Sequence, residues 1–203
     1  MILTKAKATI GPRHHGHKMT LKAFEFAKVE DGWLAELARG YIVVSEIANF
    51  PHMRQVNLVR RHLDHFFVEN PDRIYEICGT MECKVFISDW DSERHPDIAV
   101  YLAPPRNRRG RSMWRTWFPE LIIEVVSEGS HERDYTQKRD EYWNVGIKEY
   151  WIVDAKMGQV LILKRGKTDW IEKTLGPDGV CETKLLPGFK LSCAAIFAAA
   201  TEV

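Results

Sequence analysis

The stretch LIIEVVSEGSHERDYTQKRDEYWNVGIKEYWIVD, residues 121–154, changes its hydrophobic period twice. LIIEVV (121–126) is a short, β-branched run of the kind that forms a strand buried on both faces. Ser130 then offers a capping hydroxyl to HERDYTQKRDEYWNVG. Glu132 and Asp134 lie in the early turns, where the helix dipole favours negative charge, and Gly146 marks the stop. IKEYWIVD (147–154) returns to buried-strand sequence. Strand, helix, strand is a βαβ-like unit and predicts an α/β fold; spacing alone leaves open whether the two strands run parallel.

Glu124 is the anomaly in that unit, because an ionised carboxylate buried without partners costs several kcal/mol. Side chains alternate along a strand, so Ile122, Glu124 and Val126 share one face. Upstream, in PDIAVYL, Asp97 and Ala99 share a face likewise, and if the two strands are neighbours one register brings Asp97 to Glu124. Two carboxylates that close repel unless a cation lies between them. A hard divalent ion such as Mg²⁺ is one solution. A structural ion pair is the other, with Lys138 on the following helix as the cation. Tyr135, Lys138 and Tyr142 recur at helical spacing on one face, whereas Asp134, four before Lys138, reads as an ordinary surface partner worth a few tenths of a kcal/mol.

Further out, Thr20 caps a short helix beginning LKAF, and WLAELARGYIVVS (33–45) reads as a hairpin turning at Arg39-Gly40. Val56, Val59, Leu63, Phe66 and Phe67 give a helix over about 52–68. RIYEIC, CKVFISD and PDIAVYL supply two or three strands, with the polar DSERH read as a break. After residue 154, MGQ is a turn, VLILK a hairpin partner, and Leu186-Pro187-Gly188 leads to a short apolar end.

At 203 residues, 45% hydrophobic and 28% charged, the chain can build the core of one main domain, and disorder is excluded as its default. A net charge of +1 excludes a bulk polybasic nucleic-acid binder, so any such role rests on a local cluster. That cluster is PPRNRRGRSMWRTW, where Arg106, Arg108, Arg109, Arg111 and Arg115 surround Trp114. Guanidinium forks grip phosphate and aromatic rings stack on bases, while a solvated loop is the alternative. Cys78, Cys83, Cys181 and Cys193 lack C-x-x-C pairing and read as reduced thiols. With neither a membrane-length apolar run nor a signal-type start, a cytoplasmic protein with no membrane partner is expected. His14-His15-Gly16-His17 falls in a flexible arm over residues 1–18, ahead of a single domain at 19–203.

PDIAV, LIIEVVSEGS, the D-Y-x-x-K-x-x-x-Y run from Asp134 to Tyr142, GIKEYWIVD and LLPGFKLSCAAIF, in that order, resemble the PD-(D/E)XK nuclease superfamily, specifically its Uma-type bacterial members. The resemblance implies a restriction-endonuclease-like core, a mixed central β-sheet flanked by helices. An N-terminal helix and hairpin and a C-terminal β-hairpin extension would complete it. It further implies an endonuclease acting on DNA with Mg²⁺ or Mn²⁺ held by Asp97 and Glu124, with the carbonyl of Val125. The superfamily lysine normally stands two residues after the strand acid. Val126 occupies that position here, and Lys138 matches the helix-borne lysine of this branch, giving Asp97, Glu124 and Lys138 as the catalytic set. His52 also matches a histidine common in the family; with Tyr142 it is the auxiliary expectation. A homodimer would suit the cutting of two strands. An inactive nucleic-acid-binding or interaction module, with the same three residues as a structural ion-pair network, is the alternative. Hydrolysis at two carboxylates in the manner of a glycosidase gives Lys138 no task.

Overall fold

The computed structural model describes residues 8–47, 49–106 and 111–201, with the side chains of Arg111 and Ser112 outside the description. The chain divides into two compact units, one of residues up to 47 together with 85–94, the other of residues 48–84 and 95 onward. The sequence had suggested one domain.

The first unit opens with β1 (Thr9–Ile10), a 3-10 turn at Pro12–His14, α1 (Leu21–Glu25), β2 (Lys28–Val29), β3 (Trp33–Ala38) and β4 (Tyr41–Glu46). The second begins with α2 (Phe50–Glu69) and β5 (Glu76–Gly79), after which the chain returns to the first for β6 (Val85–Ile87) and β7 (Ser92–Arg94). The rest of the second unit follows: β8 (Ile98–Tyr101), β9 (Leu121–Val125), α3 (Lys138–Asn144), β10 (Glu149–Asp154), β11 (Gln159–Arg165), β12 (Trp170–Leu175), β13 (Val180–Cys181), β14 (Leu191–Ser192) and α4 (Cys193–Thr201).

In the first unit, Thr20 Oγ1 accepts from Ala23 N at 3.2 Å and starts α1. β3 and β4 pair through a two-residue turn whose central residues, Arg39 (φ 49°) and Gly40 (φ 80°), are both left-handed, as a right-twisted hairpin requires. The described part of the expected flexible arm is not loose. β1 pairs in parallel with β2, and His14 Nδ1 accepts from Gly11 N at 3.0 Å. β7, in the stretch read as a polar break, is a fully buried strand of Ser92, Glu93 and Arg94. The Arg94 guanidinium reaches Glu36 Oε2 at 3.1 Å, which offsets part of the cost of burying it.

The second unit is a six-stranded mixed sheet in the order β12-β11-β10-β9-β8-β5. β9 and β10 are parallel; the other neighbours are antiparallel. Leu121, Ile123 and Val125 of β9 join Ile98, Val100, Trp151 and Val153 in the main core, against Val59, Leu63 and Phe66 of α2 and Ile196 of α4. The opposite face carries Ala99, Ile122, Glu124, Tyr150 and Ile152, and Tyr142 of α3 sets its ring edge-on to Tyr150 at 5.0 Å. β9 is thus covered on both sides, which is why its sequence shows no polar alternation. No helix among the described residues is long and apolar enough to cross a membrane.

Candidate active site

β8 and β9 pair antiparallel with Ile98 opposite Ile123, so the next step along the ladder sets Asp97 against Glu124. Each carboxylate is held by a main-chain N–H of the other strand. Val125 N donates to Asp97 Oδ2 at 2.8 Å, and Asp97 N donates to Glu124 Oε2 at 3.3 Å. The juxtaposition expected from side-chain alternation is therefore present.

Glu124 is only 2% exposed. Its Oε1 accepts from Tyr142 OH at 2.7 Å and lies 3.0 Å from Lys138 Nζ. Lys138 is also buried, and its ammonium sits 2.9 Å from Asp134 Oδ1. Asp134 is equally buried, so the pair read as a solvated surface bridge is an interior one. Ser130 Oγ lies 2.6 Å from Asp134 Oδ2 and 3.2 Å from Ser127 O; its single proton goes to the shorter contact, a carboxylate. Tyr150 OH bonds the carbonyl of Asp134 at 3.0 Å and pins the helix to the sheet.

Ser130, Asp134, Lys138 and Tyr142 recur every fourth residue. The helix carrying them contains a π turn at Arg133–Gln137, in which Lys138 N–H bonds Arg133 O five residues back. Such turns concentrate at functional sites. Neither the turn nor the inward position of Asp134 was expected from the sequence; the unbroken spacing of four was the available signal.

His52 enters from α2, whose start is fixed by Asn49 Oδ1 accepting from His52 N at 3.1 Å and by Pro51 in the first turn. His52 Nε2 stands 3.1 Å from Asp97 Oδ2. Burial works against an imidazolium here. The hydrogen bond and charge of Asp97, the charge of Glu124 and the Val125 carbonyl outweigh it and raise the pKa of His52 above its ordinary value. One turn along, Gln55 is buried with Oε1 unpartnered among the described residues.

The donors that could hold an ion are the Asp97 and Glu124 carboxylates and the Val125 carbonyl, all hard oxygens. Asp97 Oδ1 accepts no hydrogen bond from any described residue, whereas Oδ2 is engaged twice. Among the described residues no group of three or more His, Cys, Asp and Glu gathers as a metal site. Two carboxylates and a carbonyl are the hard-oxygen type of donor that divalent ions such as Mg²⁺ take, unlike the nitrogen and sulfur cage of structural zinc.

The arginine-rich loop connects β8 to β9. Arg106 and Arg115 are exposed, Arg108 and Arg109 fall outside the described residues, and Arg111 is described in backbone only. The loop is anchored on the Glu124 side of the sheet. Trp117 stacks on Tyr101 at 3.8 Å and donates Nε1–H to Ala103 O at 2.8 Å. Trp114, half-buried, tilts against Trp117 at 5.6 Å, leaving one face of its ring committed to packing.

A crystal structure described as a "putative nuclease belonging to DUF820", from Anabaena variabilis, matches with a TM-score of 0.70 at 16% identity. The match covers 90% of this chain and 99% of that one, and at that identity it shows the shared fold. None of the curated proteins matches. The model of the Uma2 family, described as "Putative restriction endonuclease", matches residues 21–194, and with so much of its length covered the chain belongs to that family.

Proposed function

We propose that this chain is a metal-dependent nuclease that hydrolyses phosphodiester bonds of DNA. One observation carries the reading. A buried lysine on the helix after β9 brings its ammonium to 3.0 Å from the carboxylate that neighbours Asp97, which supports Lys138 as the stand-in for a lysine two residues after Glu124.

Asp97, Glu124 and the Val125 carbonyl would hold Mg²⁺ or Mn²⁺. When bound, such an ion polarises a phosphoryl oxygen and lowers the pKa of an attacking water. Lys138 would orient an attacking water or neutralise charge building on the phosphorus oxygens. Asp134, held by Ser130, keeps the ammonium from swinging away, and Tyr142 fixes the Glu124 oxygen that the lysine meets. His52 and Val125 N hold Asp97 Oδ2, so that Asp97 is oriented as a carboxylate that would take part in holding the ion. Arg106, Arg108, Arg109, Arg111 and Arg115, with the open face of Trp114, would grip the strand beside the site. A homodimer would present two such sites to the two strands.

Lys138 already bridges two buried acids at 3.0 and 2.9 Å, and this favours a second reading, an ion-pair network in an inactive module. Calorimetric titration with Mn²⁺ separates the two. Wild type is expected to bind the ion, and Asp97→Ala and Glu124→Ala to lose it; no binding by wild type ends the nuclease reading. Plasmid and single-stranded DNA incubated with Mn²⁺ should be cut by wild type and spared by Lys138→Ala. Equal cleavage by both would mean contamination.

A further inference from the structure

The helix that delivers Lys138 carries a second arrangement that the proposed chemistry leaves unused. His131 and Tyr135, one turn apart, stack face to face with ring centroids 4.2 Å apart and planes inclined by 18°. Tyr135 is pinned at its hydroxyl, which donates to Asp154 Oδ2 at 3.3 Å and accepts from Gln159 Nε2 at 3.1 Å. Asp154 is buried and itself fixed, its Oδ1 accepting from Met157 N at 2.9 Å. His131 Nε2 lies 3.9 Å from the same Asp154 Oδ2, and the His131 side chain is 59% exposed. A mobile, wet imidazole has thereby been flattened onto a rigid ring, with its outer face turned to solvent.

The place matters as much as the stack. Asp154 ends β10, two residues beyond Ile152, the parallel partner of Glu124, and so lies on the same sheet face at the carboxyl edge of the β9–β10 pair. Ligands of open α/β sheets gather at that edge. His131 and Lys138 are seven residues apart on one helix, roughly 10 Å of rise, or about three stacked base steps at 3.4 Å each.

Resting on the nuclease reading above, we infer that the His131–Tyr135 stack is a base platform and that the preferred substrate is a DNA strand with unpaired bases beside the scissile phosphate. A ring face can stack only on a base whose own face is open, and within continuous duplex both faces of every base are taken. Stacking tolerates all four bases, so the platform selects strand state over sequence.

The test is binding measured by fluorescence anisotropy in EDTA at fixed salt, with a labelled single-stranded oligonucleotide and a closed dumbbell duplex that has no free ends. Wild type should bind the single strand more tightly. His131→Ala should weaken that binding by about fivefold or more, on the scale of one lost base–aromatic stack, and leave the dumbbell within about twofold. His131→Phe, which keeps a ring and drops the ring nitrogens, should bind like wild type. Loss in the Phe variant equal to that in Ala, no loss in Ala, equal wild-type affinity for both DNAs, or no binding at all would each overturn the proposal. Because EDTA removes catalysis, the two readings fail separately. His131-dependent binding without any Mn²⁺-supported cleavage sinks the nuclease and keeps the platform; cleavage by wild type with binding indifferent to His131 sinks the platform alone.

Discussion

Replacing Lys138 with Met keeps the length and apolar stem of the side chain and removes only the ammonium. Two carboxylates whose side chains are 3% and 2% exposed, Glu124 and Asp134, then lose the cation they share. Breaking a buried ion pair from one side costs about 3–5 kcal/mol. Glu124 retains Tyr142 OH and Asp97 N, and Asp134 retains Ser130, so the loss should sit in that range and not above it. For a chain of this size, where 1 kcal/mol moves Tm by about 2–4 °C, the expected drop is roughly 6–20 °C. Calorimetry or a thermal melt at pH 7.5 measures it. Adding Asp134→Asn should recover part of the loss, and the double-mutant cycle gives the coupling directly. A Lys138→Met protein that melts within about 1 kcal/mol of wild type at pH 7.5 would mean the ammonium is not held between two ionised acids, and the positioning of Lys138 argued above would fall with it.

Further expectations concern other parts of the chain. The raised pKa of His52 means the folded state binds its proton more tightly than the unfolded state does. That contribution is fully present below about pH 6.5 and is lost as pH climbs through the folded-state value. Denaturant unfolding of wild type and His52→Gln should therefore differ more at pH 6 than at pH 8.5; a gap that widens with pH contradicts it. Neutralising Arg106 or Arg115 should lower the slope of log K against log salt for DNA binding by about one for each phosphate no longer gripped; an unchanged slope means the loop is merely solvated. Arg94→Ala should destabilise by about 3–5 kcal/mol in urea, since it removes a fully buried guanidinium together with its contact to Glu36 and opens a cavity; a neutral result would remove β7 from the interior.

What the sequence made legible followed local periods. Alternation of side chains in 121–126 and 97–101 put Glu124 and Asp97 on one face before any pairing was known, and the cap read at Thr20 holds, whereas the Ser130 hydroxyl accepts from Ser127 N and turns to Asp134 and caps no first-turn N–H. β7 was hidden because Ser92-Glu93-Arg94 has the composition of a loop; its burial depends on Glu36, 58 residues away, and nothing local encodes that contact. β12 buries only Trp170 and Leu175 at its ends, too little alternation to betray an edge strand. CAAIFAAAT was read only as an apolar end, although its alanines make it a good helix former and it became α4. At the site, Lys138 reads as facing the sheet, but Asp134 reads as a surface partner because an i, i+4 pair is the commonest surface pattern. Only the sheet beneath them decides otherwise.

The π turn at Arg133–Gln137 has a consequence for how securely the lysine is placed. In a regular α-helix, residues four apart overshoot a full turn by about 40°, so the three steps from Ser130 to Tyr142 would swing through roughly 120°. The wider coil gives back part of that rotation and lets one stripe of side chains face the sheet along its whole length. A single extra residue of slack does this, not any one side chain. A chain shortened by one residue at Tyr135 or Thr136 would close into unbroken α-helix with Asp134 and Lys138 three apart, a spacing that still sets them side by side on one helix face. The π turn thus absorbs the one residue by which Asp134 and Lys138 stand four apart and not three, and the lysine keeps its place over Glu124 with that residue in the chain.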